Sequence, residues 1–282
     1  MAHVDLHCHS TASDGNFPPA DVVRRAQAAG LVAIALTDHD TTHGVPDAQH
    51  AGAALGVDVI GGCEFSVQAP WGELHLLGYF LPAGDPVVEA FLERARAGRQ
   101  RRGEQMVARL QQFGIPIGIA AVERHAAGGA LCRPHVARAL VEAGASQDVS
   151  DAFDRWIGRG RPAYVEKSLP CFSEVAALVH GAGGVAVAAH LGDRASEGQV
   201  RQFVDAGLDG VEVRHPSHSP AVERRLLGMA QRLGLAITGG SDWHGETEVG
   251  RSHAPLGGLQ VPVEWLERLR VHRTKGSGQS VT

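Results

Sequence analysis

A chain of 282 residues, 44% of them hydrophobic, can bury the core of one large α/β domain or of one domain with an insertion. The formal net charge of −5 excludes a general attraction to polyanions, and an aromatic content of 5% argues against a surface that stacks long single-stranded nucleic acids. Phosphate binding would therefore depend on local cations or on metals. The 16 histidines stand out, because histidine serves mainly as a metal ligand or proton carrier at neutral pH.

The cysteine spacing and the N-terminal sequence indicate where in the cell the protein is located. The four cysteines are dispersed without a CxxC pair, which predicts free thiols rather than a disulfide framework. The start carries no leader-like segment, and no apolar run reaches the roughly 18 residues that span a bilayer. We therefore expect a soluble cytoplasmic protein without membrane contact and without a stable protein partner. Residues 273–282 are predicted to form a flexible tail.

Strand and helix patterns alternate in residues 1–84. A strand over HVDLHC precedes a helix that starts near Pro18-Pro19 and ends at Gly30, with proline first and glycine last as helices prefer. The strand VAIALT and a helix over 44–55 follow. The next strand leads to Glu64, and LHLLGYF forms a fourth strand.

Residues 85–164 interrupt this alternation. A long helical pattern from Pro86 to about Phe113 is followed by shorter helical patterns, with no strand pattern among them; the shorter ones lie near 118–126, 133–143 and 148–157. We interpret the segment as an α-helical insertion that caps the active site. Its arginines between Arg94 and Arg102 are most simply the solvated face of a helix, with phosphate binding as the alternative.

The alternation resumes in residues 165–272. A helix beginning at Ser173, with that serine as N-cap, precedes the strands GVAVAAH, GVEVR and LAITGGSD. Helices near 197–206 and 220–233 separate these strands. Seven strands that each lead into a polar or charged end favour a closed or nearly closed β/α barrel over an open doubly wound sheet.

Histidines, aspartates and glutamates, which commonly bind metals, recur where these strands end. This pattern predicts that several parallel strands place them at one rim of the barrel. His7 and His9 are two apart on a strand, so their side chains share one face, and Asp242 and His244 repeat the spacing. Histidines and carboxylates without cysteine suit Zn²⁺, Mn²⁺ or Fe²⁺ better than a structural zinc site. Singly, each histidine could equally be a hydrogen-bonding residue. Together they predict a multinuclear metal site, which is typical of phosphoester hydrolysis.

The motifs DLHCHS with SDG, TDHDT, GCE, HLLGY, AAHLG and GSDWHG, in this order, resemble the successive motifs of the PHP (polymerase and histidinol phosphatase) family. The resemblance covers roughly residues 1–80 and 173–250. It implies an α/β protein with a distorted seven-stranded (β/α)7 TIM-like barrel, the PHP fold, and two to three divalent metal ions at one rim. Manganese is the expected metal, with zinc or iron as alternatives, and a hydroxide that bridges the metals is the expected nucleophile.

The ligands that this resemblance implies fall into three groups. One metal would bind His7, His9, Glu64 and Asp242. A second would share Glu64 and add His75 and His190. A third would use Asp14, His39 and His244. Asp14 stands where some members of the family have histidine, which makes the third site the least typical.

A narrower resemblance implies the substrate class. GCEFS, the arginine-bearing insertion, RPH, GRPAYV and AGGVAVAAH are similar to PHP-type nucleoside 3′,5′-bisphosphate phosphatases, which are related to a 5′-to-3′ exoribonuclease acting on short RNA. The implied reaction removes the 3′-phosphate of a small nucleotide such as adenosine 3′,5′-bisphosphate. The alternatives are a 5′-to-3′ exoribonuclease on short RNA, a histidinol-phosphate phosphatase, and a non-enzymatic structural PHP module.

Three residues are candidate substrate contacts. Arg133 and His135 lie at the start of a predicted helix, where backbone N–H groups and a guanidinium could meet an anion. Arg133 could instead form a salt bridge within the insertion, and His135 could instead cap its helix. His215 follows a strand and could contact the substrate or the leaving group.

Other polar residues have weaker signals. Lys167 is a candidate for a second phosphate, and Asp38 and Asp40, on either side of the predicted ligand His39, are expected to orient its imidazole or to hold the local structure. Ser241 is expected to pack beside the ligands, and His218 to lie in a loop. The chain has no GxSxG, dinucleotide-binding or P-loop motif, which argues against serine-hydrolase and NTP chemistry.

Overall fold

The computed structural model describes residues 2–246 and 253–276, with only the backbone for 274–276. One sheet contains the strands β1 His3–Cys8, β2 Leu31–Leu36, β3 Asp58–Ala69, β4 Gly72–Tyr79, β5 Val185–Ala188, β6 Gly210–Arg214, β7 Ala236–Gly239 and β8 Val261–Pro262. Their order is β7-β6-β5-β4-β3-β2-β1-β8. The sheet nearly closes, because the N–H of His9 after β1 donates to the carbonyl of Trp243 after β7 at 2.9 Å. The predicted barrel is confirmed.

Helices surround the barrel and form the insertion. They are α1 Pro19–Ala28, α2 Val45–Leu55, α3 Pro86–Gln112, α4 Ile119–Ala126, α5 Arg133–Glu142, α6 Val149–Ala152, α7 Phe172–Gly181, α8 Glu197–Asp205, α9 Pro220–Leu233 and α10 Val263–Gly276, with a π-helical turn at Phe153–Ile157. Helix α7 begins before Ser173, and its N-cap is Cys171. An isolated bridge to Gln68 holds Cys171 extended, so the helix starts directly after it.

Strand β4 runs antiparallel to both neighbours, β3 and β5. The strands β1 to β3 and β5 to β7 are parallel within each set. Strand β3 continues past Glu64 to Ala69 and returns through Gly72, whose φ of +115° suits a glycine. The expectation that parallel strands each end at a ligand is therefore wrong for β3 and β4. The two-residue β8, antiparallel to β1, is an eighth strand beyond the seven predicted.

The inserted helices pack on one another and on the barrel. Met106, Leu110 and Leu140 belong to an apolar cluster within the insertion. Near the start of α3, Phe91 and Leu92 pack instead in the barrel's own cluster. Helix α3 therefore ties the insertion to the barrel, and the predicted helices of this segment are all present.

The C-terminal end departs from expectation. Helix α10 extends to Gly276, into the segment 273–282 that was predicted to be a flexible tail, and 277–282 lie outside the described residues. No helix in residues 2–246 and 253–276 combines the length and apolar composition that a membrane span requires.

Candidate metal centre

Glu64, buried on β3, lies at the centre of a cluster on one rim of the barrel. Its Oε2 atom lies 3.2 Å from Nε2 of His7 and 3.2 Å from Nε2 of His9. Oδ1 of Asp242 lies 3.3 and 3.2 Å from the same two nitrogens. Two imidazoles and two carboxylates from opposite sides of the barrel therefore face one point.

The other oxygen of Glu64 faces a second pair of histidines. Oε1 lies 2.7 Å from Nδ1 of His75 and 3.1 Å from Nε2 of His190, and these two nitrogens are 3.2 Å apart. His75 reaches the rim because antiparallel β4 begins there. Glu64 thus joins two groups of nitrogen donors through its two oxygens.

A third group adjoins the first. Asp14 Oδ1 lies 3.3 Å from Nε2 of His244, and His39 Nδ1 lies 3.2 Å from Glu64 Oε2. One atom each from His9, Asp14, His39 and His244 lie within 4.8 Å of one another. All nine residues that the resemblance implied as ligands are therefore brought together, in three overlapping groups.

The donor atoms suit divalent cations. Four of these buried atoms have no hydrogen-bond partner, and they are His7 Nε2, His9 Nε2, His39 Nδ1 and Asp14 Oδ1. A buried polar atom without a partner costs about 1–3 kcal/mol, so four at one rim need an explanation. Divalent cations would accept these lone pairs, and a set of nitrogen and oxygen donors without sulfur fits Mn²⁺, Zn²⁺ or Fe²⁺.

The pKa shifts show that metals compete with protons here. Burial would raise the pKa of Glu64, but His75, His39 and His7 hold that pKa well below its usual value. Burial opposes protonation of His9, yet the adjacent carboxylates of Asp242 and Glu64 raise its pKa to about 10. The metal-free site therefore keeps the Glu64 carboxylate ionised beside a protonated His9, and metal binding by His9 would release a proton.

Two further carboxylates, which the sequence analysis did not identify, contact ring nitrogens of the candidate ligands that do not face Glu64. Glu212 Oε1, on β6, lies 3.0 Å from Nδ1 of His7, and Glu73 Oε1 lies 3.5 Å from Nε2 of His75. A carboxylate on one ring nitrogen leaves the lone pair of the other nitrogen turned towards the metals. The sequence feature that could have identified Glu212 is its position as the one acidic residue of the strand GVEVR.

Backbone strain accompanies two of the candidate ligands. His190 and Asp242 adopt left-handed conformations, with φ of +28° and +50°. Such residues cost of order 1–3 kcal/mol and cluster at functional sites. At His190, Glu212 Oε2 accepts the backbone N–H at 2.7 Å and so holds the strained residue in place.

A cavity of about 430 Å³ opens over the cluster. Candidate ligands line part of it. It is also lined by the cationic wall, which we define as Arg99, Arg102, Arg133, Arg138 and Lys167. Arg133 has no carboxylate partner among the described residues, and its guanidinium carbon lies 5.4 Å from the ring centre of Phe153, which also lines the cavity. Arg133 is therefore placed to meet an anion.

The two predicted histidine contacts lie outside the residues that line this cavity. His135 is buried, and its Nδ1 accepts the N–H of Cys132 at 3.1 Å, which favours the capping alternative. His215 is buried with Nε2 3.4 Å from Oδ2 of Asp242, so it contacts a candidate ligand from behind. A histidine that sequence reasoning missed, His253, does line the cavity, and its Nδ1 lies 2.6 Å from the carbonyl of Asp242.

Asp38 and Asp40 have different partners. Asp38 accepts hydrogen bonds from the N–H of Ser10 and the hydroxyl of Ser13, both at 2.7 Å, and so holds the turn after His9. Asp40 is buried and lies 2.6 Å from Nε of Arg99 and 3.3 Å from Nζ of Lys167. Both aspartates thus stabilise the surroundings of the ligands.

Ser241 and His218 are held by buried contacts. The N–H of Ser241 donates to Oδ1 of Asp5 at 2.9 Å, and Asp5 Oδ2 accepts the N–H of Gly257 at 2.8 Å. His218 is buried and bonds the carbonyl of Val213 at 2.8 Å, so it anchors the loop in which it was predicted. Asp5, also missed by sequence reasoning, links β1 to the end of β7.

A barrel whose rim gathers histidines and carboxylates in a cavity that basic residues also line defines a class, the metal-dependent phosphoesterases. Comparisons with known proteins agree. A family model described as the PHP domain matches residues 5–117. The 3′,5′-nucleoside bisphosphate phosphatase of Chromobacterium violaceum is 36% identical over 259 residues, which cover 89% of this chain and 90% of that protein. The 5′-3′ exoribonuclease of Haemophilus influenzae is 33% identical, covering 88% and 93%.

A solved structure from Bifidobacterium adolescentis, described provisionally as a metal-dependent phosphoesterase, superposes with a TM-score of 0.89 at 34% identity and covers 96% of both chains. The chain belongs to the PHP family. It is a metal-dependent hydrolase that acts on phosphate esters.

Proposed function

We propose that this phosphoesterase removes the 3′-phosphate of nucleoside 3′,5′-bisphosphates such as adenosine 3′,5′-bisphosphate. One observation carries the proposal: the same cavity is lined by the candidate metal ligands and by the cationic wall, so it offers two sets of groups suited to anions. A nucleoside bisphosphate has one phosphate for each set, whereas a nucleoside monophosphate has only one. The volume of about 430 Å³ suits a mononucleotide.

The nine candidate ligands would hold two to three divalent ions, with manganese as our first choice. When bound, these ions supply positive charge at the phosphoryl oxygens and activate water. Arg133, on the cationic wall, binds the phosphate that is kept, and Phe153 offers a flat apolar surface to the base. Water adds at phosphorus, the bond to the ribose 3′ oxygen breaks, and that oxygen takes a proton, which yields a 5′-nucleotide and phosphate.

A 5′-to-3′ exoribonuclease activity is the second candidate. The relative from Haemophilus influenzae carries that name, and cleavage of RNA after a 5′-terminal nucleotide breaks the same bond to a 3′ oxygen. Histidinol phosphate suits the cavity less, because its ammonium group would face the cationic wall. A small nucleotide, or short RNA, is accordingly the partner that we propose.

Steady-state kinetics with Mn²⁺ test the proposal. We expect adenosine 3′,5′-bisphosphate to be hydrolysed at least about tenfold more efficiently than 5′-AMP, since a charge-assisted contact contributes about 1.5–3 kcal/mol. Arg133→Ala should lower kcat/KM for the bisphosphate at least about tenfold. Arg124→Ala, which removes an exposed ion pair to Glu142 in the same insertion, should leave it unchanged. Equal and negligible rates on both nucleotides would overturn the proposal.

A further inference from the structure

A second cavity, of about 270 Å³, lies beside the first. Helix α3 forms one side of it, and residues 167–170 form the other. The two cavities share three lining residues, Ser66, Arg99 and Lys167. The second cavity therefore begins at the wall where the first one ends.

This shared wall stands next to the metal centre. Ser66 lies opposite His75 in the pairing of β3 with β4. Its hydroxyl accepts a hydrogen bond from Nζ of Lys167 at 2.5 Å, and Lys167 and Arg99 both contact Asp40. The second cavity therefore adjoins the candidate ligands across this wall.

The charged lining of the second cavity comprises four basic residues and two acidic ones. Arg94 and Arg101 stand at its outer edge, exposed and without a carboxylate partner among the described residues. The exposed Glu174 lies opposite them, while Asp40 is already paired with Arg99 and Lys167. The interpretation of the arginines on α3 as a solvated face is thus wrong for Arg99, which is buried, and two others edge a cavity.

The remaining lining is apolar and leaves room for a flat group. Phe91 and Leu169 contribute apolar surface, and Ala95 and Gly98 on α3 have little or no side chain to fill the space. The guanidinium carbon of Arg94 lies 5.5 Å from the ring centre of Phe91. An apolar surface edged by arginines suits a nucleobase with its phosphate, because bases stack on aromatic rings and guanidinium planes.

We propose that the second cavity binds the nucleoside that follows the scissile phosphate in a short single-stranded oligoribonucleotide. The inference rests on the proposed function, because a 5′-phosphorylated dinucleotide is a nucleoside 3′,5′-bisphosphate whose 3′-phosphate carries a second nucleoside. Water adds at that phosphorus, the bond to the first 3′ oxygen breaks, and the oxygen takes the proton. The second nucleoside leaves with the phosphate on its 5′ oxygen.

Charge reversal at the edge of the cavity tests this site. The variant combines Arg94→Glu with Arg101→Glu, and the matched control combines Arg224→Glu with Arg268→Glu, two exposed arginines on α9 and α10. Binding of a 3′-fluorescent, 5′-phosphorylated triadenylate to metal-free protein is followed by anisotropy. Turnover of the 5′-phosphorylated diadenylate and of adenosine 3′,5′-bisphosphate is measured with Mn²⁺. We expect the variant to weaken oligonucleotide binding and raise the KM for the dinucleotide at least tenfold, with bisphosphate turnover within twofold of the wild type and the control.

Three outcomes contradict the inference: no oligonucleotide binding by the wild type, unchanged affinity in the variant, or equal losses with both substrates. A wild type that binds the oligonucleotide through Arg94 and Arg101 but hydrolyses neither substrate would support the second cavity and overturn the proposed function instead.

Discussion

Nδ1 of His7 lies 3.0 Å from Oε1 of Glu212, and both side chains are fully buried inside the barrel. Oε2 of the same carboxylate accepts the backbone N–H of His190 at 2.7 Å. One glutamate on β6 therefore holds two candidate metal ligands. It also places an acceptor at Nδ1 of His7, so that Nε2, which faces Glu64 and Asp242, would be the nitrogen that binds a metal.

Glu212→Gln should weaken metal binding about 10- to 100-fold, because the His7 ring and the His190 N–H both need an acceptor and glutamine offers only one. Metal affinity, measured by calorimetric titration of the chelator-treated protein with Mn²⁺, checks this expectation. Glu267→Gln, an exposed change on α10, is the control. Metal affinity equal to that of the wild type would show that Glu212 does not position His7.

Metal binding should stabilise the fold strongly, because ions bound only by the native state add to the free energy of unfolding. At a free concentration of about 1,000 times Kd the addition is about 4 kcal/mol, which corresponds to a rise in Tm of about 10 °C for a chain of this size. Thermal unfolding with and without Mn²⁺ measures it. His9→Ala should lose most of the rise, and a wild-type shift below about 2 °C would argue against a native metal centre.

Burial lowers the pKa of His135 to about 4, whereas the unfolded chain has a histidine pKa of about 6.5. As the pH falls from about 6.5 to 4, His135 becomes protonated in the unfolded chain but stays neutral in the native protein. The free energy of unfolding therefore decreases through this window, by about 2–3 kcal/mol from this residue at pH 4.5.

His135→Gln isolates that contribution, because glutamine can accept the N–H of Cys132 but cannot be protonated. Urea unfolding in the presence of a chelator, at pH 7 and pH 4.5, should show a smaller loss of stability in the variant than in the wild type. The same loss in both proteins would exclude His135 as a source of the pH dependence.

Gly240 lies against His7 so closely that a Cβ atom there would be 2.3 Å from the Cβ of His7. Gly240→Ala should therefore displace His7 and cost about 1–3 kcal/mol of stability, with a loss of bound metal. Gly198→Ala on α8, whose added Cβ would meet its nearest atom at 4.0 Å, is the control. Unfolding free energies and metal contents close to the wild type in both variants would contradict the close approach.

The sequence was sufficient for features whose signals are local. Helix α9 has its predicted bounds, residues 220–233, because a leading proline and a following glycine mark them. The rim position of His7 and His9 follows from their spacing on one strand. The apolar pattern of LHLLGY does not give the direction of β4, but the short connection at Pro70-Trp71-Gly72 favours a hairpin, because a parallel crossover needs about a dozen residues or more.

Contacts between side chains from distant segments of the chain also could not be predicted from the sequence. The sequence GVEVR is the same whether its glutamate faces solvent or the barrel interior. Only the closed barrel shows that Glu212 faces His7. His135 begins a helix in a way that suits either a cap or an anion contact. Its orientation away from the cavity depends on how α5 packs in the insertion.

The central claim is that Glu64 is the shared ligand of a multinuclear metal centre. Its most direct test is the metal-to-protein ratio, by elemental analysis after dialysis against Mn²⁺ without chelator, of the wild type and of Glu64→Gln. We predict about two to three ions per wild-type chain and no more than about one in the variant, with an unchanged far-ultraviolet circular dichroism spectrum. A wild-type ratio below about two, or the same ratio in both proteins, would contradict the claim.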